Sequence, residues 1–103
     1  MITTETKKAI AAACSSELEN CKTYGKIYNS PHEAYAVLKE ELEETEENLK
    51  ATKNYLNDVW QSIRSDDKEE MRLNILSLNS YALMLIYEAV QVYAVSEKFK
   101  ESF

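Results

Sequence analysis

Several glutamates of this chain have the spacing of a single helical face and could do chemistry together. At roughly 100° per residue, Glu40, Glu41 and Glu44 fall within an arc of about 100°, and Glu33 projects into it from two turns earlier. A flank that carries several carboxylates is typical either of a solvated helix face or of a site for a divalent cation. The sequence therefore predicts an acidic patch on one helix and leaves these two interpretations open.

The helix that carries the acidic patch has a clear beginning. Ser30 followed by Pro31 and Glu33 is a capping box with proline at the first helical position, so the helix should begin at Pro31. The apolar pattern continues to about Arg64, and residues 65–67 then interrupt it. The sequence therefore predicts one long helix between these limits.

A regular seam runs along this long helix. Its members alternate spacings of four and three residues, which is typical of a helix packed lengthwise against partners. They are Leu38, Leu42, Thr45, Leu49, Thr52, Leu56, Val59 and Ile63. We expect this seam to be the packing face, with Glu41 and Glu44 on the flank that Asn48 and Tyr55 share.

A third helix should follow almost at once, from about Asp67 to Lys100. Asp66 with Glu69, or Asp67 with Glu70, offers a new capping box for it. Because the break is short, the two long helices should form an antiparallel hairpin. Glu44 and Glu88 are equally distant in sequence from Asp66, so Glu88 should lie level with the acidic patch.

Glu88 is the only residue between Leu73 and Val95 that carries a charge at neutral pH. Asn74, Ser77, Tyr81 and Gln91 lie within about 60° of it and form a narrow polar stripe. Amides and a carboxylate would be costly in lipid, so we predict no membrane span here. The wide apolar surface of this helix instead predicts burial on two sides and thus a homo-oligomer, either a dimer or a tetramer.

An additional helix is predicted at the start of the chain, from about Thr4 to Tyr24, with Gly25 as its C-cap. Cys14 and Cys21 belong to its apolar stripe. They are two turns apart, about 10 Å of rise, which is too far for a disulfide within the helix. We interpret both cysteines as small packing residues.

The composition limits the fold class. A chain of 103 residues with 45% hydrophobic content, one Gly and one Pro predicts a single all-α domain over residues 1–103. A net charge of −6 and a pI near 4.8 argue against a DNA or RNA partner, which needs a basic surface. No signal peptide is visible in the sequence, so we expect a cytoplasmic protein.

The stretch YNSPHEAYAVLKEELEE, which starts at Tyr28, resembles a known group of proteins. It is similar to the phage-type and prophage-type helical proteins related to the MazG-like nucleoside triphosphate pyrophosphohydrolases. The resemblance covers about residues 26–47 and, more weakly, EAVQVYAV over residues 88–95. The signature of that family is EExxE on one helix and ExxD on the next, and its carboxylates hold magnesium against the triphosphate.

The resemblance implies roles for particular residues. Glu40, Glu41 and Glu44 match EExxE, and Glu88 matches the first position of ExxD, whereas Gln91 lies where Asp is expected. The implied ligands of Mg²⁺ are Glu41, Glu44 and Glu88. Glu40 would be a further ligand or the general base, and a nucleotide would be the partner. Gln91 favours the alternative of a non-catalytic relative that binds or sequesters a nucleotide or a host protein.

Overall fold

The computed structural model describes residues 1–103 and contains three α-helices and no strand. Helix α1 covers Thr4–Cys21 and runs into a short 3₁₀ turn over Lys22–Tyr24, after which α2 covers Pro31–Arg64 and α3 covers Lys68–Ser102. The two long helices pack against each other. The all-α fold class and the antiparallel hairpin are therefore confirmed, and the helix limits agree with the predicted ones to within three residues.

The start of α2 uses the predicted capping box. The backbone N–H of Glu33 donates to Oγ of Ser30 at 3.1 Å. The Glu33 carboxylate accepts a hydrogen bond from the backbone N–H of Asn29 at 3.2 Å. Both bonds satisfy amides that precede the first helical hydrogen bond. Glu33 is thus engaged at the helix start and is not part of the acidic patch.

The turn between the long helices is centred on Asp66, as predicted. Asp66 has φ +53°, a left-handed conformation that Asp tolerates better than most residues. Its N–H donates to the carbonyl of Ile63 at 3.1 Å. The Oδ1 atom of Asp67 then accepts from the N–H of Glu70 at 3.0 Å and caps α3. One helix therefore ends and the next begins within three residues.

Two compact units share the long helices. The first consists of residues 1–42 and 88–103. Its core contains the buried side chains of Tyr28, Ala34 and Val95. The ammonium group of Lys98, itself buried, lies 4.3 Å from the ring centroid of Tyr28 and donates to the carbonyl of Cys21 at 3.3 Å. This lysine therefore ties the end of α1 to α3.

The second unit consists of residues 43–87. The amide of Asn74 donates to Oγ of Ser62 at 2.9 Å, and the rings of Tyr55 and Tyr81 stack with centroids 5.5 Å apart. Val59 is buried on the same face of α2. The face of α2 that meets α3 in this unit is thus mostly polar, and it meets the predicted polar stripe of α3.

The predicted seam of α2 is wrong in half of its positions. Thr45, Thr52 and Val59 are buried or half-buried, but the four aliphatic residues that alternate with them remain exposed. These are Leu42, Leu49, Leu56 and Ile63, with exposed fractions of 49%, 41%, 59% and 50%. The inner face is rotated toward the flank of Glu41, because the polar groups of α3 need hydrogen-bonding partners that leucines cannot supply.

Helix α3 is long and apolar enough to cross a membrane by length and composition alone. Its most apolar window of 18 residues has a mean hydropathy of 1.3. Core helices of soluble proteins meet the same criterion, but such helices are mostly buried, whereas none of this window is buried within the chain. The polar stripe of α3 is directed at α2, as the contacts of Asn74 and Tyr81 show.

Candidate metal site

Three of the four predicted site residues come together in the structure. Glu41, Glu44 and Glu88 can each offer one carboxylate oxygen, and these three atoms lie within 4.8 Å of one another. Glu41 and Glu44 are one turn apart on α2, and Glu88 comes from α3. This is the position that the equal distances of Glu44 and Glu88 from Asp66 predicted.

Glu88 has the most unusual environment of the three. Its Oε2 atom is removed from solvent and has no hydrogen-bond partner. A buried carboxylate oxygen costs free energy unless a donor or a cation compensates for its lost hydration. Glu41 is half-buried beside it, whereas Glu44 is exposed. The buried oxygen of Glu88 is therefore the atom of this group that most requires a cation.

The donor set fits a hard divalent cation. Mg²⁺ and Ca²⁺ both prefer carboxylate oxygens, and Mg²⁺ binds them at about 2.0–2.1 Å. Oxygens around one Mg²⁺ consequently lie about 3 to 4 Å apart. The separation of up to 4.8 Å between the carboxylates can reach that spacing by small side-chain rotations. Three like charges at this distance repel one another, and a bound cation would remove that repulsion.

Glu40 and Gln91 lie at the border of the group. Glu40 is exposed and is not one of the three clustered acids, although it lies one turn before Glu44 on α2. Gln91 is half-buried and lies one turn after Glu88 on α3. A ligand held by the three acids would therefore have Glu40 on its solvent side and a neutral amide on its α3 side.

Sequence reasoning missed the contribution of α1 to these surroundings. The thiol of Cys21 donates to the carboxylate of Glu17 at 3.9 Å. Burial raises the pKa of Cys21, and the negative charges of Glu17 and Glu41 raise it further, while Lys98 acts in the opposite direction. Cys21 is thus close enough to Glu41 to sense its charge. In the sequence, the only sign of this contribution is the apolar stripe of α1, whose spacing places Cys21 at the end of that helix.

The raised pKa of Cys21 predicts its reactivity. Alkylation requires the thiolate, so Cys21 should react more slowly at pH 8 than an unperturbed thiol, and its rate should keep rising at higher pH. The rate would be measured with iodoacetamide in a Cys14→Ala background, because Cys14 is the other free cysteine. Glu17→Gln should shift the profile to lower pH, since it removes a negative charge beside the thiol while leaving an oxygen that can accept its hydrogen bond. An unshifted profile would contradict this assignment.

Comparison with known proteins does not indicate a function for this chain. Neither a protein family, nor a curated protein, nor a solved structure matches the chain. The resemblance noted for residues 26–47 consequently remains an expectation that rests on those residues alone. The three clustered carboxylates are therefore the feature of this chain that indicates a function.

Proposed function

We propose that this chain is a Mg²⁺-dependent nucleoside triphosphate pyrophosphohydrolase of the MazG-like type. The observation that carries the proposal is the buried, unpaired Oε2 atom of Glu88, a residue that also has a carboxylate oxygen within 4.8 Å of those of Glu41 and Glu44. In the reaction, water attacks the α-phosphorus, the bond to the bridging oxygen breaks, and pyrophosphate leaves. The products are a nucleoside monophosphate and pyrophosphate, with release of the water protons.

Each acid has a separate role in this proposal. Glu88 would hold the cation from α3, where its Oε2 atom is buried, and Glu41 and Glu44 would hold it from two successive turns of α2. Bound Mg²⁺ would neutralise triphosphate charge and lower the pKa of a bound water. Glu40 lies one turn from Glu44 on the solvent side, so we assign it the role of general base that accepts the proton of the attacking water.

A non-catalytic relative is the second candidate, and Gln91 favours it. Gln91 supplies a neutral amide on the turn after Glu88, where the resemblance expects a carboxylate. Lys98, the buried cation of the first unit, is engaged with the carbonyl of Cys21 and the ring of Tyr28. A chain of this kind would bind or sequester a nucleotide, or bind a host protein, without hydrolysis.

Thermal unfolding with and without metal and nucleotide tests both candidates. A ligand that binds only the native state raises the melting temperature. Mg²⁺, Mn²⁺ and Ca²⁺ would be titrated alone and with each of the common nucleoside triphosphates, and released pyrophosphate would be measured in parallel. Glu47→Gln is the matched control, because Glu47 is an exposed acid of α2 outside the group.

The outcomes separate the two candidates. Stabilisation by metal and nucleotide together with release of pyrophosphate supports the enzyme. Stabilisation without release supports the binding protein. If neither metal nor nucleotide stabilises the chain, the metal-site proposal is wrong and both candidates that depend on it fail.

Gln91→Asp should strengthen the site. A fourth carboxylate one turn after Glu88 would add a charged oxygen near the cation, and we expect Mg²⁺ to bind roughly tenfold more tightly. Isothermal titration calorimetry would measure this change. Gln61→Asp, an exposed position on α2, is the control for the added charge. Unchanged affinity in Gln91→Asp would show that this position does not limit metal binding.

A further inference from the structure

An apolar stripe on the outside of α2 remains exposed within the chain. It consists of every seventh residue of the helix: Tyr35, Leu42, Leu49, Leu56 and Ile63. Their exposed fractions are 62%, 49%, 41%, 59% and 50%. A heptad repeat of large apolar side chains is the pattern that packs lengthwise against another helix. Here α3 does not cover it, because α3 meets the polar face of α2 that carries Tyr55 and Ser62.

We propose that this stripe binds the same stripe of a second copy of the chain, with the two α2 helices antiparallel and a two-fold axis near Leu49. Leu49 is the middle member of the stripe. In the antiparallel arrangement Leu42 would pack against Leu56 of the partner copy, and Tyr35 against Ile63 of the partner copy. A two-fold interface uses the same patch on both copies, so an apolar stripe symmetric about its middle residue suits it.

Charges along the edge of the stripe select a second copy and the antiparallel direction. Glu46 and Lys53 are both exposed, occupy the same heptad position and carry opposite charges. An antiparallel pairing centred on Leu49 would place Glu46 beside Lys53 of the partner copy, twice by symmetry. A parallel two-fold pairing would instead place Glu46 and Lys53 of one copy on the opposite side of the seam from Glu46 and Lys53 of the partner copy, so neither of these ion pairs would form. The charges along the edge of the stripe therefore favour an antiparallel pair of α2 helices over a parallel one.

The area of the surface is sufficient for a stable dimer. Trp60 extends the stripe with an exposed fraction of 54%. Because Tyr81 and Asn74 face α2, helical geometry directs Ile75 and Ile86 of α3 to the same side as the stripe. From their exposed fractions, all of these side chains together offer roughly 800 Å², about what each partner of a stable complex buries. The inference does not depend on the metal site.

The first test is the mass of the full chain in solution, measured by light scattering. The native chain should be a dimer at micromolar concentration, and Leu49→Asp should yield monomers with unchanged helicity by circular dichroism. Leu76→Asp is the matched control, because Leu76 is 62% exposed on α3 and lies outside the stripe. A native monomer, or a dimer that survives Leu49→Asp with unchanged affinity, would overturn the proposal.

The second test addresses the direction in which the two α2 helices pair. It changes only exposed charged residues, so it remains informative if Leu49→Asp fails to fold. Glu46→Lys and Lys53→Glu should each weaken the dimer roughly tenfold, and the double variant should recover the native affinity. If the double variant does not recover the native dimer affinity, the antiparallel pairing is excluded. Flotation with vesicles of phosphatidylcholine and phosphatidylglycerol completes the test, since stripe-dependent binding to vesicles by a monomeric chain would show that lipid covers this surface instead.

Discussion

Glu88→Gln should abolish the stabilisation of this chain by Mg²⁺. A metal at 100 times its dissociation constant stabilises a native protein by about 2.7 kcal/mol, and this increment should vanish in the variant. The reason is that Gln retains the shape of Glu88 but replaces the buried carboxylate oxygen that lacks a hydrogen-bond partner. Thermal or urea unfolding with and without Mg²⁺ measures the effect, and Glu47→Gln should keep the full stabilisation.

The same variant should be at least as stable as the native chain in metal-free buffer. Glu88 lies with Glu41 and Glu44 in a group of carboxylates within 4.8 Å, and removal of one charge relieves their repulsion. A Glu88 that instead held the helices together through a hydrogen bond would give the opposite result. In that case Glu88→Gln would lower the free energy of unfolding by about 1–3 kcal/mol at any Mg²⁺ concentration, and the metal site would be abandoned.

Tyr28→Ala should be among the most destabilising single changes in the chain. Tyr28 is 6% exposed, packs with Ala34 and Val95, and lies under the ammonium group of Lys98. Truncation of a buried aromatic side chain to Ala costs about 3–5 kcal/mol, which is a large fraction of the stability of a small protein. Urea unfolding should therefore show a large loss. Tyr28→Phe should differ little from the native chain, because it keeps the ring.

A double-mutant cycle separates the ring contact of Lys98 from the packing of Tyr28. Tyr28→Leu and Lys98→Met each remove the cation–ring contact while retaining much of the side-chain volume. Their combined effect should be smaller than the sum of the single effects by about 0.5–2 kcal/mol, the usual size of such a contact at a partly desolvated site. Strict additivity would show that Lys98 contributes through its hydrogen bond to Cys21 rather than through the ring.

The helices and their limits follow from local signals in the sequence. Ser30 with Glu33, and Asp67 with Glu70, form their hydrogen bonds within one turn, so no distant residue is needed to place these helix ends. Gly25 terminates the first helical segment at φ +133°, a conformation that other residues rarely adopt. The proximity of Glu88 to Glu44 was predictable as well. A tight turn at Asp66 brings together residues of α2 and α3 that lie at equal sequence distances from Asp66.

Only the tertiary structure decided which face of α2 lies against α3. The heptad pattern of α2 offers two adjacent faces, one with leucines and one with Glu41, Tyr55 and Ser62, and residue spacing cannot rank them. The choice depends on α3, where Asn74 donates to Ser62 and the ring of Tyr81 stacks on Tyr55, and both partners belong to the second face. The same folding step brings the Glu88 carboxylate to the acids of α2 and leaves the leucine stripe exposed. The acids, the heptads and the helix ends are thus sequence properties, whereas burial of one Glu88 oxygen and exposure of the stripe arise only from the way in which α2 and α3 pack together.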